Sequence, residues 1–184
     1  DVILATDIGD LVFMPGLHDN GLNYASFTFS VRDQAGAYDA SPNTITVNVG
    51  EVNNEPTGAD NTITIDEDGA HSFAAADFGF SDIDTGDSLS AVRIDSLPTD
   101  GVLALNGVAV QAGDIILAAD IAGLVFTPAS DANGNAYANF TFSVRDQAGA
   151  YDSAPNTITI DVDPVNDAPA GADSTVTIDE DTSH

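Results

Sequence analysis

The sequence predicts an all-β fold built from tandem antiparallel β-sandwich repeats of 113 residues. Three observations carry this. The chain repeats itself: Asp1 to His71 aligns without a gap onto Asp114 to His184, and 46 of the 71 paired positions are identical. Apolar and polar residues alternate with a period of two through most apolar stretches. The acid is spent on the wrong residue for helices, with 26 Asp against 4 Glu; Asp favours turns and caps, where Glu favours helix interiors.

The repeat sets the domain frame. Phe27 to Asp39 recurs letter for letter as Phe140 to Asp152. The period is too long for a solenoid unit and matches one small β domain, long enough to bury a core without staples. Val52-Asn53-Asn54-Glu55-Pro56 and Val165-Asn166-Asp167-Ala168-Pro169 are short, polar and end in proline, as linkers do. Residues 1–53 are therefore expected to be the C-terminal part of one repeat, 54–166 a complete repeat, and 167–184 the first strand of a third. The start, Asp1-Val-Ile-Leu-Ala, reads as mid-domain sequence of a longer protein.

Within the complete repeat, Thr62 to Asp66, Phe140 to Val144 and Thr157 to Val162 alternate as strands. Asn106-Gly107 stands between Val102–Leu105 and Val108–Val110, a two-residue hairpin signal because both turn positions need positive φ. Leu124 to Pro128 adds a short strand. About seven strands are expected for such a sandwich. Ala74 to Asp77 is worth one helical turn at most. Phe140 and Phe142 fit core positions.

Composition excludes several functions. Thirty acids and three bases give a formal charge of −27, and the only bases are Arg32, Arg93 and Arg145. Nucleic-acid binding and adhesion to an anionic bilayer both need basic patches. No apolar run reaches membrane-spanning length, so this segment is expected not to insert. With no Cys and no Lys, disulfides, thiolate metal sites and Schiff-base chemistry are excluded. No Gly-x-Ser-x-Gly elbow occurs, and the acids sit at domain ends rather than across a cleft, so no enzyme is expected.

Three acidic clusters remain: Asp66-Glu67-Asp68, Asp82-x-Asp84-x-Gly86-Asp87, and Asp161-x-Asp163-x-x-Asn166-Asp167. Solubilising surface charge would scatter acids rather than gather them at linkers and adjoining loops. Short loop carboxylates suit a hard cation such as Ca²⁺, which takes 6–8 oxygens. An EF-hand counted from Asp82 fails, because its sixth and twelfth positions are Asp87 and Arg93. His71 and His184 read as packing or strand-edge residues, and the three His show no metal spacing.

Asp163-x-x-Asn166-Asp167-x-Pro169 resembles the inter-domain linker of cadherins, Asp82-x-Asp84-x-Gly86-Asp87 their paired loop aspartates, and Glu67 their first-strand glutamate. The run from Leu124-Val-Phe-Thr-Pro128 through Asn133-Gly134 and Phe140 to Asp146 resembles the cadherin-like and bacterial Ig-like repeats of large calcium-dependent surface adhesins. This resemblance implies Ca²⁺ between consecutive domains. It implies ligands from Asn53, Asn54, Glu67, Asp82, Asp84 and Asp33 at the first junction, and counts Asp87 among the metal residues without assigning it to either. At the second it implies Asp163, Asn166, Asp167, Asp146 and Glu180. Asp161, Asp163 and Asp167 correspond to Asn48, Gly50 and Asn54, with Glu51 a partial replacement, so the first linker is expected to hold Ca²⁺ more weakly.

The function implied is an extracellular, calcium-stiffened spacer on a bacterial cell surface, serving adhesion and biofilm, whose partners are neighbouring repeats. The alternative is a module that binds polysaccharide or protein, including other copies in a fibre. A spacer needs its charge at the joints, whereas a binder needs an exposed aromatic or apolar patch.

Overall fold

The computed structural model describes residues 1–181; His184, with Thr182 and Ser183, lies outside the described residues. Eleven strands form among them: β1 (Gly21–Phe29), β2 (Asn43–Val49), β3 (Asn61–Asp66), β4 (His71–Ser72), β5 (Ala91–Ile94), β6 (Val102–Leu105), β7 (Val108–Ala109), β8 (Ile115–Leu117), β9 (Leu124–Thr127), β10 (Gly134–Arg145) and β11 (Asn156–Asp163). Three short 3₁₀ turns accompany them at Ile8–Asp10, Ala75–Phe78 and Ala118–Gly123. The second falls on the Ala-rich stretch; the third was not legible as helix. Residues 54–166 hold nine strands rather than about seven, because β4 and β7 are two-residue strands too short to show periodicity.

These nine strands make a sandwich. One sheet has the order β3-β11-β10-β5-β8 and the other β4-β9-β6-β7. All but one of their pairings are antiparallel. The exception is β3, which runs parallel to β11, from Asn61 beside Ile158 to Asp66 beside Asp163. First and last strands of the repeat thus lie side by side and end together. Asn106 and Gly107 adopt φ of 51° and 83° and join β6 to β7 as the hairpin signal requires.

Alternation explains the core. Phe140, Phe142 and Val144 of β10 and Ile158, Ile160 and Val162 of β11 point inward and are buried. They meet Leu103, Leu124 and Phe126 of the opposite sheet in one cluster. Phe73 stands edge-on to Phe140 at 5.7 Å and Phe78 edge-on to Phe142 at 4.9 Å, the arrangement the ring quadrupole favours. His71 packs edge-on against Phe73 and lies 3.1 Å from the Asp77 carboxylate, a packing role.

The outer face of the five-stranded sheet carries most of the scarce positive charge. Arg93 binds Asp95 and Ser143 and lies over the Tyr151 ring at 4.6 Å. Arg145 approaches the same ring at 5.9 Å and donates to Ser90.

Residues 1–53 repeat part of this plan. β1 and β2 pair with the same register and the same bulge as β10 and β11. Leu11-Val12-Phe13, identical to the start of β9, forms no strand, since strands pair only with partners and residues 1–53 contain no counterpart of β4 or β6.

Candidate metal centre at the linker pole

The ends of β10 define two poles. Twelve residues at about 3.4 Å each place them roughly 40 Å apart. Residues 50–54 enter at the pole where β10 ends, and residues 164–169 leave from the pole where it begins.

At the entry pole the 82–87 loop precedes β5, and Asp146 follows Arg145 directly. The antiparallel pairing of Arg145 with Ala91 brings the two segments together. Carboxylate oxygens of Asp82, Asp87 and Asp146 all lie within 4.8 Å of one another. Asp146 is fully buried; its Oδ1 accepts the backbone N–H groups of Gly149 and Ala150 at 2.6 and 2.8 Å, which fixes the carboxylate in place. Asp87 accepts from the N–H of Ser88 at 3.0 Å and of Gln147 at 3.3 Å, tying the loop to the strand end. Gly86, at φ 92°, makes the turn that swings Asp87 back.

The linker closes the cluster. Asn53 donates through its side-chain amide to Asp146 Oδ2 at 2.9 Å. Asn54 donates twice to Asp84, from its backbone N–H at 2.6 Å and its side chain at 2.8 Å. Those two bonds, with a smaller pull from His18, hold the Asp84 carboxyl below the usual carboxylate range. Asp84 in turn donates its N–H to Asp82 Oδ1 at 2.9 Å. Asp82 Oδ2 is buried and accepts no hydrogen bond. A buried carboxylate oxygen without a donor is costly unless a cation or water meets it. Among the described residues the arginine contacts lie with Asp95, Ser143, Ser90 and the tyrosine rings, and not with this cluster. Three convergent carboxylates and one undonated oxygen fit a hard divalent cation.

Of the expected first-junction residues, Asn53, Asn54, Asp82 and Asp84 come together here, and Asp87, expected as a metal residue at neither junction in particular, joins them. Glu67 and Asp33 do not. The parallel pairing of β3 with β11 carries Glu67 to the exit pole, where it is buried and accepts from Asn133 at 2.6 Å and the Val165 N–H at 2.7 Å. Asp33 follows the end of β1 that pairs with Asn43, away from the linker that leaves β2 after Val49. Its Oδ1 accepts the Ala37 N–H at 2.8 Å. Asp146 was expected at the second junction; because β10 runs antiparallel to β11, it ends at the entry pole instead.

At the exit pole Asp163 accepts the Glu67 N–H through its carbonyl at 3.0 Å, and Asn166 donates to the Asp167 carbonyl at 3.0 Å. The negative charge of Asp131, then burial, then Asp68 and Glu67, push the Asp167 carboxyl up. Glu180 is exposed in the C-terminal segment. Asn133 and Asp131 were missed because Asn133-Gly134 reads only as a turn.

A family model described as the bacterial Ig domain matches residues 53–160. The chain belongs to that family, whose members are structural, non-catalytic domains common on extracellular surface proteins. No curated protein and no solved structure matches the chain. Among the described residues no helix is long and apolar enough to cross a membrane.

Proposed function

We propose that this segment is a calcium-stiffened extender of a large bacterial cell-surface adhesin, acting outside the cell in adhesion and biofilm. The observation that carries the reading is the convergence of Asp82, Asp87 and Asp146 beside a linker that is itself bonded to them, with Asp82 Oδ2 left undonated. Bound there, Ca²⁺ would supply the positive charge that offsets mutual repulsion of the carboxylates.

The side chains do the rest. Asp146 is held by two backbone donors and serves as a fixed point. Asn53 ties the linker to it, and Asn54 ties the linker to Asp84. Anything that draws the three carboxylates together therefore also fixes the direction in which residues 1–53 leave the sandwich. Extracellular modules hold Ca²⁺ at roughly 10⁻⁴–10⁻³ M. At ten times Kd one site contributes about 1.4 kcal/mol, small for a domain and large for a hinge.

The test is small-angle scattering of the 184-residue chain in calcium and then in chelator, beside calorimetric titration. An increase in maximum dimension with calcium, lost in Asp82→Asn/Asp87→Asn, is expected. Identical profiles and no binding heat would sink the reading.

A further inference from the structure

Glu67 is buried at the exit pole, and the carboxylate cluster at the entry pole makes no use of it. Its N–H meets the Asp163 carbonyl at 3.0 Å, and its Oε1 accepts the N–H of Val165, in the exit linker, at 2.7 Å. Asn133 holds the other carboxylate oxygen at 2.6 Å. Glu67 thus ties the end of β3 to the chain that leaves β11. Just ahead of β3, Asp60 makes a matching tie, accepting the Thr157 N–H at 2.7 Å. Between the two ties β3 and β11 run parallel through six registered pairs, from Asn61 beside Ile158 to Asp66 beside Asp163. β3 is an outer strand of its sheet, so among the described residues β11 is its one ladder partner.

The two linkers leave from opposite ends of this pair. The entry linker leads into β3 at the entry pole, and the exit linker follows β11 at the exit pole. Tension between them pulls β3 one way and β11 the other, along the strand axis. All six pairs and both side-chain ties are then loaded together, and none yields ahead of the rest. Were the pair antiparallel, both linkers would leave from one pole, and the same tension would peel the pairs apart one at a time. Upstream, Thr57 and Ser81 exchange two backbone bonds at 2.8 Å; their loss frees only the few residues before β3.

We infer that β3 and β11, closed at their ends by Asp60 and Glu67, form a shear clamp that sets the force at which the sandwich opens under tension between its linkers. Sliding is opposed by the core as well as by the ladder. Ile63 is buried and Ile65 packs against the same cluster, so a slip of one residue turns both toward water. Forced opening follows the rate of unfolding rather than the equilibrium stability. Bonds on the loaded path therefore decide the strength, and bonds elsewhere in the sandwich do not. That tension runs between the linkers rests on the extender reading; the response to it rests on strand order alone and owes nothing to calcium.

Single-molecule pulling of the 184-residue chain, in chelator, tests it. The chain has no Cys, so introduced pairs are unique handles. Val52→Cys/Ala168→Cys places them on the two linkers, and Asp68→Cys/Asp163→Cys places them together at the exit pole; all four positions are exposed. The same bonds are broken in shear by the first pair and by peeling by the second. At one pulling speed the linker pair should need a several-fold higher force, in one main event that releases about 3.5 Å for each residue from β3 to β11. Glu67→Ala should lower the linker-pulling force. Ile116→Val, in β8 at the far edge of the same sheet, should lower the melting temperature and leave that force in place. Equal forces in the two directions, release of the main length in several steps, or a force that tracks the melting temperature across both variants would each overturn the inference. A direction-dependent force beside scattering profiles that calcium leaves unchanged would support the clamp and sink the calcium reading alone.

Discussion

Residues 21–49 and 134–162 are the same hairpin twice, with different surroundings. They share strand register, bulge position and local side-chain bonds. Tyr24 and Tyr137 each accept a backbone N–H through the hydroxyl, from Gly16 and Ala129. Asp33 and Asp146 each accept the N–H four residues on. Asn43 and Asn156 each donate to the aspartate four residues back, Asp39 and Asp152. Yet the inward residues of the second copy are fully buried, while in the first Phe27, Phe29 and Ile45 are 37–42% exposed and Val47 and Val49 only half-buried. Local sequence therefore specifies the hairpin, its turn chemistry and its bulge. The energy that would hold it belongs to the opposing sheet.

The largest contrast should come from one aromatic ring. Phe140→Ala removes a fully buried side chain between Phe73 and the sheet and should cost about 3–5 kcal/mol. Phe27→Ala, at the equivalent position of the other repeat, should cost under about 1 kcal/mol of sandwich stability, because that ring lies outside the sandwich's core cluster. Chemical denaturation of both variants measures this. Equal losses would mean that β1–β2 is covered in solution.

Asp146 and Asp33 sharpen the comparison at a polar position. Asp146 is buried and bonded by Gly149, Ala150 and Asn53, so Asp146→Ala strands several donors and should cost about 2–3 kcal/mol. Asp33→Ala leaves its donors open to water and should cost less than about 1 kcal/mol. Calcium should recover none of the loss in Asp146→Ala if Asp146 is a ligand.

This pair also marks where sequence reasoning reached its end. Alternation and the Asn-Gly turn announce strands and hairpin because each is a local signal, and the 113-residue repeat is read by comparing the chain with itself. The poles are not local. Glu67 and Asp82 lie fifteen residues apart, and nothing in their spacing says that β3 runs parallel to β11 and carries Glu67 away. Asp82, Asp84 and Asp87 were found together because they share one loop, and Asn53 and Asn54 because they share one linker. Asp146 was expected at the exit pole, and only the antiparallel run of β10 shows that it ends at the entry pole. Asn133 was missed because its partner Glu67 is 66 residues distant.

Asp152 gives a smaller effect with a definite sign. Burial pushes its carboxyl up, against the opposing pull of Ser143 and Asn156, and its Oδ1 is buried with no hydrogen-bond partner. A carboxyl raised in the folded state favours the protonated form there. Its contribution to stability is therefore fully present below the unfolded carboxylate pKa and is lost as pH rises through the folded one. Asp152→Asn, neutral at every pH, should stabilise the sandwich at neutral pH and flatten the slope of stability against pH just above the carboxylate range. Unfolding midpoints across that range decide it, and an unchanged slope would show that Arg93 keeps the charge in place.

The bulge should yield the smallest effect. Both hairpins place a residue in the left-handed region there, Asn23 at φ 56° and Ala136 at φ 47°, each donating its N–H to a side chain on the partner strand. Asn tolerates that conformation and Ala does not, at a cost of about 1–2 kcal/mol for an ordinary L-residue. Ala136→Gly relieves the strain but also frees the unfolded chain, which takes back about 0.4–1 kcal/mol. Its net gain should be only a few tenths. Ala136→Asn copies the other repeat, faces solvent and carries no such entropic cost, so it should gain about 1 kcal/mol. Asn23→Gly, made in the copy that already holds the better residue, should gain nothing. If Ala136→Asn fails to raise the melting temperature, the bulge in the buried hairpin is held by its packing, and the equivalence of the two hairpins stops at the backbone.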